Sequence, residues 1–166
     1  MNECGLIQVY TGNGKGKTTA SLGLMLRAVG QGFMSSMVQF MKDEASYGET
    51  AVHKILPNFE IIPAGRPGFV NLKDPDPVDK ELAQQGWLLA KEKISSGHYD
   101  LVILDEINLA LAFGLLSTVE VVNFLKNKNS YCEVVLTGRY APQEVVSIAD
   151  LVTEMKDLKE LKGDGI

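Results

Sequence analysis

The chain has 166 residues, of which 45% are hydrophobic and 22% are charged, which predicts one globular domain over residues 1–166. Its 16 lysines and arginines against 21 acidic residues give a net charge of -5. That balance excludes non-specific binding to nucleic acid or to acidic membranes, so an anionic ligand must be bound by a local site.

The cysteines and the N-terminus indicate a cytoplasmic protein. Cys4 and Cys132 stand far apart without CxxC spacing, so neither a zinc site nor a disulfide is predicted, and both thiols are expected to be reduced and buried. Residues 1–5 lack the features of a signal peptide, and no apolar run reaches the roughly 20 residues of a membrane span. Neither a membrane nor a nucleic acid is an expected partner.

Short apolar runs alternate with helical stretches along the chain. This alternation predicts an α/β fold with a mostly parallel central sheet flanked by helices. The predicted strands are Leu6–Tyr10, Ser35–Phe40, Phe59–Ile62, Leu101–Leu104, Val134–Leu136 and Leu151–Thr153. The predicted helices are Lys17–Val29, Tyr47–Leu56, Val78–Ile94, Ser117–Leu125 and Pro142–Ala149. Leu22, Leu26 and Val29 form one apolar face of the first helix, and Gly30 and Gly32 supply its stop.

The segment from Pro63 to Pro77, PAGRPGFVNLKDPDP, predicts a long loop, because it is rich in Pro, Gly and Asp and shows neither the helical nor the strand period of apolar residues. Long connections without secondary structure are uncommon in compact domains and are often functional. Such a loop could cover a substrate site. His53 and His98 are expected to be structural or exposed, and the sequence offers no Ser/His/Asp or Cys/His nucleophile.

A glycine-rich segment, TGNGKGKTT at 11–19, follows the first predicted strand and opens the first predicted helix, which is the context of a P-loop. Its glycines let the backbone form a nest of N–H donors around phosphate oxygens, and the helix N-terminus adds its positive dipole end. Lys17 is predicted to contact the polyphosphate and the Thr18 hydroxyl to ligate Mg²⁺. Thr11 stands where the first glycine of GxxxxGK[ST] is usual.

Two acidic residues, Asp105 and Glu106, follow the apolar run Leu101–Leu104, as in a Walker B strand. Ligands of open α/β sheets collect at the carboxyl ends of strands, so one of these residues should hold Mg²⁺ directly or through water. The other is then a partner outside the metal shell or a general base. Arg139 ends the next apolar strand and is placed to meet the nucleotide or a second substrate.

Further motifs extend this pattern over almost the whole chain. They are Arg27-Ala28-Val29-Gly30, VQFMK at 38–42, Gly48-Glu49, Gly86-Trp87, LVILDE at 101–106, LTGR at 136–139 with Ala141-Pro142, and ADLVTEM at 149–155. In order and approximate spacing the set resembles the CobA/CobO/BtuR family, which are ATP:corrinoid adenosyltransferases. A P-loop alone is shared with many NTPases, whereas this ensemble is specific.

The resemblance implies a RecA-like P-loop fold and a homodimer. It also implies transfer of the 5′-deoxyadenosyl group from MgATP to the reduced cobalt of a corrinoid, with release of tripolyphosphate and with a flavoprotein as reductant. ATP is expected to lie across the loop in an unusual orientation that presents the ribose 5′ carbon to cobalt. The roles carried over are catalysis by Lys17, Phe69 and Arg139, nucleotide binding by Gly12, Asn13, Gly14, Lys15, Gly16, Lys17, Thr18, Thr19 and Arg27, and Mg²⁺ binding by Thr18, Asp105 and Glu106.

Three features depart from the family pattern. The long loop reads Phe69-Val70-Asn71 where members from enteric bacteria carry Phe-x-Trp, aromatic residues that help to remove the lower cobalt ligand. The chain starts a few residues before the first strand, without the N-terminal extension of some members. Lys159-Glu160 stands where members often have Lys-His, and the usual longer tail is absent. The long loop or a partner subunit is therefore expected to complete a closed corrinoid pocket.

Two other functions would use the same phosphate loop. A P-loop ATPase or nucleotide-dependent switch would use Glu106 to orient water for hydrolysis of the γ-phosphate. A small-molecule kinase would transfer that phosphate to an acceptor. Release of phosphate without corrinoid, or a phosphorylated acceptor, distinguishes these functions from the release of tripolyphosphate.

Overall fold

A parallel sheet organises the computed structural model, which describes residues 5–43, 48–128 and 131–159. Within those ranges the strands are β1 (Ile7–Thr11), β2 (Ser35–Phe40), β3 (Phe59–Ala64), β4 (Leu101–Asp105), β5 (Glu133–Thr137) and β6 (Leu151–Glu154). Their spatial order is β3-β2-β4-β5-β1-β6, and every neighbouring pair is parallel. All six carboxyl ends therefore lie at one edge, and the predicted α/β class is confirmed.

Helices cover both faces of this sheet. In the described ranges they are α1 (Lys17–Gly30), α2 (Pro77–Ser95), α3 (Ile107–Ala112), α4 (Thr118–Lys126) and α5 (Gln143–Ile148), with a 3-10 helix at Gly48–Lys54. Helices α2 to α5 pack on one face around Trp87, whose ring meets Phe124 edge-on with centroids 5.3 Å apart. Helix α1 covers the other face, where Met25 and Met37 are fully buried. Because both faces are covered, β4 and β5 are continuous apolar runs without alternation.

The buried stripe of α1 agrees with the predicted apolar face at Leu22 and Val29, which pack against the core, but not at Leu26. Ser21 and Met25 are fully buried, whereas Leu26 is 56% exposed. Each residue of an α-helix turns by about 100°, so a stripe through Ser21 and Met25 carries Leu26 away from the sheet. The predicted stop is confirmed, since Gly32 has a φ of 86° and its amide donates to the Val29 carbonyl at 2.9 Å.

Two segments near β3 differ from their predictions. The helix expected over Tyr47–Leu56 is the 3-10 helix, because Pro57 disfavours a helical conformation at the residue before it; Tyr47 lies outside the described residues. Strand β3 continues through Pro63, so the long loop is residues 65–76. A proline is tolerated there because β3 is the edge strand of the sheet.

Helix α3 is the element that the sequence analysis missed. Its six residues, INLALA, follow β4 after a turn of one residue, Glu106, and show no helical period. Glu106 makes that turn with a φ of 62°, which is uncommon for a residue other than glycine. The helix is thus specified by backbone geometry and burial, which periodicity does not detect.

The remaining predictions on local chemistry are mostly met. Cys132 is 2% exposed and carries a free thiol, and His98 is exposed. Cys4 and the side chain of His53 lie outside the described residues. No helix in the described part of the chain combines the length and the apolar character that crossing a membrane requires.

Candidate active site

The phosphate loop connects β1 to α1 and lies under the end of the neighbouring strand β6. The Met155 amide donates to the Thr11 carbonyl and the Gly14 amide donates to the Met155 carbonyl, both at 2.8 Å. A Cβ built on Gly12 would lie 2.3 Å from the Met155 carbonyl oxygen, and one on Gly14 would lie 2.8 Å from it. Glycine is therefore required at both positions by the close approach of β6, besides the φ of 96° at Gly12.

Lys17 begins α1 and points back into the loop. Its Nζ donates to the carbonyl of Gly12 at 2.8 Å and to that of Gly14 at 2.6 Å, and the residue is 7% exposed. Burial lowers the pKa of this ammonium, against an opposing effect of the nearby Glu106 carboxylate. The amine is thus held at the mouth of the nest, where a phosphate oxygen can join its ligands.

Asp105, fully buried at the end of β4, is the centre of the polar network. Its Oδ1 accepts from the hydroxyls of Thr18 at 2.9 Å and Thr137 at 2.6 Å. Its Oδ2 accepts from Lys42 Nζ at 2.7 Å and from Gln39 Nε2 at 3.3 Å. Strand β5, helix α1, strand β2 and the residue after its turn therefore all supply donors to one carboxylate at the end of β4.

Glu106 follows Asp105 in a left-handed conformation, fixed by a hydrogen bond from its amide to Thr137 Oγ1 at 3.0 Å. Burial, together with the negative charge of Asp105, raises the pKa of its carboxyl, while Lys42 and Lys17 oppose that rise. A residue held in a sparsely populated conformation next to other functional groups is typical of an active site. The turn aims a second carboxylate at the region in front of the phosphate loop.

The oxygen donors Thr18, Asp105 and Glu106 are the types that Mg²⁺ prefers. No group of three or more His, Cys, Asp or Glu that could hold a metal occurs among the described residues. Mg²⁺ is usually held by one or two carboxylates plus substrate phosphates and waters. These residues therefore fit an Mg²⁺ ion that is bound together with a triphosphate.

A cavity of about 670 Å³ opens beside these groups. Charged residues line part of it, namely Lys42, Asp43, Arg66, Glu106 and Arg139, and the rest of the lining is mostly apolar, namely Phe40, Met41, Gly68, Phe69, Val70, Leu72, Leu109, Phe113 and Tyr140. Phe69 is fully exposed. The cavity is large enough for a sizeable apolar ligand and reaches the phosphate site through Asp105.

The long loop that borders this cavity is anchored at its start. Arg66 donates to both carboxylate oxygens of Asp79, from Nε at 2.7 Å and from Nη2 at 2.9 Å, and also pairs with Asp76. Asp79 is 4% exposed, so a buried carboxylate on α2 holds an arginine of the loop in a planar, bidentate pair. Hydrogen bonding to Arg66 keeps the pKa of Asp79 below its ordinary value.

The structure brings most of the predicted site residues together, with one exception. Gly12 to Thr19, Asp105 and Glu106 converge, and Arg139 lies on the cavity wall. Arg27 lies in the last turn of α1, ten residues beyond Lys17, which places it about 15 Å further along the helix axis. It is exposed there and does not meet the phosphate loop of its own chain.

The sequence analysis assigned no site role to Lys42, Gln39, Met155 or Arg66, although the first three lie in motifs that carry the family resemblance. The signal for the first two was present, because both lie at or just after the carboxyl end of β2, where ligands collect in parallel sheets. Met155 and Arg66 follow β6 and β3 in the same way. Strand order, which a single sequence does not show, decides which of these ends face the site.

Comparison with known proteins identifies the family. The family model described as ATP:corrinoid adenosyltransferase BtuR/CobO/CobP matches residues 3–166. A corrinoid adenosyltransferase of Sinorhizobium sp. is 38% identical over 99% of this chain and 78% of the relative. Protein all2391 of Nostoc sp. PCC 7120 is 40% identical over 95% of this chain, which spans only 45% of that longer relative.

The fold comparison agrees with these matches. The flagellar accessory protein FlaH from Methanocaldococcus jannaschii, which has a RecA-like fold, aligns with a TM-score of 0.59 over 91% of this chain and 71% of its own. The two are 14% identical, so this likeness shows the fold alone and confirms the predicted RecA-like architecture. With a matching family model over residues 3–166 and relatives that align over nearly all of it, the chain belongs to the BtuR/CobO/CobP family of ATP:corrinoid adenosyltransferases.

Proposed function

We propose that the protein transfers the 5′-deoxyadenosyl group of MgATP to the reduced cobalt of a corrinoid and releases tripolyphosphate. The observation that carries this proposal is the link, through hydrogen bonds to one buried carboxylate, between the phosphate loop and a large, mostly apolar cavity. Asp105 joins them, because one of its oxygens binds Thr18 of the phosphate loop and the other binds Lys42 on the cavity wall. Family membership supports adenosylation of a corrinoid with ATP.

The triphosphate is held by the phosphate loop in this proposal. Backbone amides of residues 12–19 other than Gly14, whose amide donates to Met155, surround the phosphates together with the N-terminus of α1, and Lys17 supplies a cation beside them. Lys15 is exposed on the loop and Arg139 lies on the cavity wall, so both can reach the anion from the open side. Arg27 can contribute only from a second subunit, because its own helix carries it away from the loop.

The proposed reaction needs a leaving group more than a base. The electron pair of the reduced cobalt forms a bond to the ribose 5′ carbon, and the bond from that carbon to oxygen breaks with its electrons retained by tripolyphosphate. The protein then has to position two substrates and stabilise the charge of the departing anion. Mg²⁺, which Thr18, Asp105 and Glu106 would hold, supplies further neutralisation of that charge.

The loop at residues 65–76 is proposed to cover the corrinoid. Val70 and Leu72 pack against the core cluster, whereas Phe69 lines the cavity with its whole side chain accessible to solvent. Asn71 is exposed and does not line the cavity. Phe69 is therefore the aromatic group of this loop that can contact the corrinoid and exclude water from cobalt.

Three further parts of the proposal concern the cell. A homodimer, a flavoprotein that reduces the corrinoid, and a cytoplasmic location are all supported by the family resemblance. The exposed Leu26 and Phe33, on and just after α1, give that side of the molecule apolar surface that a second subunit could cover. Sedimentation equilibrium of the purified protein tests the dimer directly, because a mass near 18 kDa would contradict it.

One observation favours ATP hydrolysis as a second candidate. Glu106 has a raised pKa and lies at the cavity wall, as a base that activates water would. That function predicts phosphate release without corrinoid, which is lost in Glu106→Gln.

The deciding experiment is an anaerobic incubation of the protein with MgATP and a chemically reduced corrinoid. We expect the absorption spectrum of a cobalt–carbon bond and release of tripolyphosphate in equal amounts, with both lost in Lys17→Ala. An incubation without corrinoid serves as the control for hydrolysis. ADP and phosphate with an unmodified corrinoid would sink the proposal and favour the ATPase.

A further inference from the structure

Lys42 is a charged residue of the site to which the reaction described above gives no role. It follows β2 after Met41, whose φ of 61° turns the chain at the carboxyl edge of the sheet. Its side chain is 12% exposed, with Nζ 2.7 Å from Asp105 Oδ2 and 4.0 Å from Glu49 Oε1. It also lines the cavity together with Glu106 and Arg139. Lys42 is therefore an ammonium group at the junction of the two proposed substrate sites.

The contacts of Asp105 leave no room for an additional cation. Its two oxygens accept from four donors, which fills the roughly four lone-pair positions of a carboxylate. A metal that engages Asp105 must replace at least one of them. Lys42 is the donor that a metal repels, because it alone among the four carries a positive charge.

Lys42 is also the donor best able to move. Thr137 and Gln39 are fully buried in β5 and β2, and the short Thr18 side chain is fixed at the start of α1. A lysine instead has four methylene groups between backbone and charge, and here they border an open cavity. Once displaced from Asp105, a largely buried ammonium group is stable only near other negative charge. Glu49, 4.0 Å away, supplies part of that charge, and the phosphates that accompany the metal would supply more.

We propose that Lys42 is a second triphosphate-binding lysine that exchanges partners: it neutralises Asp105 in the nucleotide-free site and binds phosphate oxygens once Asp105 is engaged by the metal. Gln39 and Thr137 keep the carboxylate oriented throughout the exchange. The inference rests on the proposed function, which makes tripolyphosphate the leaving group. Lys42 would stay bound to that tripolyphosphate after the adenosyl group has left. Its test uses binding alone, so a failure to transfer the adenosyl group leaves the test intact.

The experiment compares the wild-type protein, Lys42→Met and Lys91→Met. Lys91 lies on helix α2, outside the site, and pairs with Glu120 of helix α4 at 2.9 Å. Lys91→Met therefore removes the same charge from the same acidic protein without touching the site. Calorimetry measures the affinity for tripolyphosphate in the presence of Mg²⁺. Electron paramagnetic resonance measures the affinity for Mn²⁺ alone.

For Lys42→Met we expect tripolyphosphate to bind about tenfold more weakly or worse, because a charge-assisted contact is lost. We expect Mn²⁺ alone to bind as well as in the wild type or more tightly, because a competing cation has left Asp105. Lys91→Met should match the wild type in both measurements. Unchanged affinity for tripolyphosphate would overturn the proposal, and so would a parallel loss of both ligands, which indicates only a structural role.

A measurement on the intact protein covers the case in which Lys42→Met does not fold. Lysine labelled with ¹³C at Cε gives one NMR signal per side chain, and Lys42→Arg assigns the signal of Lys42 by its absence. The signal should shift when Mg²⁺ and tripolyphosphate are added together. A signal that stays in place under saturating ligand contradicts the exchange of partners.

Discussion

Gly12→Ala tests the close approach between the phosphate loop and strand β6. The added Cβ would lie 2.3 Å from the Met155 carbonyl oxygen, a distance that real Cβ atoms do not tolerate. The neighbour is backbone, so it cannot rotate aside as a flexible side chain would. Either the loop or the end of β6 must move.

The size of the effect follows from three contributions. A left-handed φ costs a residue with a Cβ about 1–2 kcal/mol. Separating the loop from Met155 also breaks the hydrogen bonds Gly14 N–H to Met155 and Met155 N–H to Thr11, each contributing about 0.5–1.5 kcal/mol. The sum is about 2–5 kcal/mol, with a midpoint of about 3.5 kcal/mol. In a domain of this size, that midpoint lowers the melting temperature by roughly 7–14 °C.

The assay is thermal unfolding followed by the fluorescence of Trp87, the one tryptophan of the chain. Gly23→Ala is the matched control, because a Cβ there meets nothing within 4 Å in the interior of α1. It should stabilise the protein by about 0.5–1 kcal/mol, since alanine favours helices. Gly12→Ala should also weaken MgATP binding in calorimetry. If Gly12→Ala melts within about 2 °C of the wild type, which corresponds to at most about 1 kcal/mol, β6 does not constrain the loop.

Three other predictions concern Phe69 on the loop at residues 65–76, the ion pair that anchors this loop, and the buried thiol of Cys132. Phe69→Ala should leave MgATP affinity unchanged and reduce turnover of corrinoid by about tenfold or more, since the lost aromatic contact lies on the cavity; unchanged corrinoid kinetics would refute this role. The ion pair with Arg66 lowers the pKa of Asp79 in the folded protein. Its contribution to the stability of the folded state is therefore complete at a pH above the ordinary pKa of an aspartate, and it is lost as the pH falls through the lowered pKa. The difference in melting temperature between the wild type and Asp79→Asn should therefore be constant from about pH 7 to 5 and shrink below about pH 4, whereas a pH-independent difference would exclude this ion pair as its source. Burial raises the pKa of the Cys132 thiol to about 11, so iodoacetamide near pH 7 should label it only in denaturant, and peptide mapping that finds rapid native labelling contradicts its burial.

The sequence predicts the contiguous parts of the site well. The phosphate loop and the Asp105-Glu106 pair each lie within one short stretch, where residue types and the adjoining strand define both position and chemistry. The six strands are detectable because each is a short apolar run between breakers. The resemblance adds the substrates, which no local pattern shows.

The parts that depend on spatial order were not predictable in the same way. Lys42 reaches Asp105 because β2 lies beside β4, although the two residues are 63 positions apart in the chain. Arg27 shows the converse, since it is close to the phosphate loop in sequence and far from it along a rigid helix. Linear motifs define neighbours along the chain, whereas strand order defines neighbours across the sheet.

The backbone hydrogen bonds between Met155 and the phosphate loop have a thermodynamic consequence for this edge of the sheet. Strand β6 has four residues, all exposed, and pairs with β1 alone among the described strands. If a bound triphosphate stabilises the ordered phosphate loop, it must also oppose the fraying of β6, because the two are hydrogen-bonded. By reciprocity, fraying of β6 must lower the affinity of the loop for the triphosphate. Substitutions at Leu151 or Val152, on the outer surface and in contact with no substrate, can therefore tune nucleotide affinity.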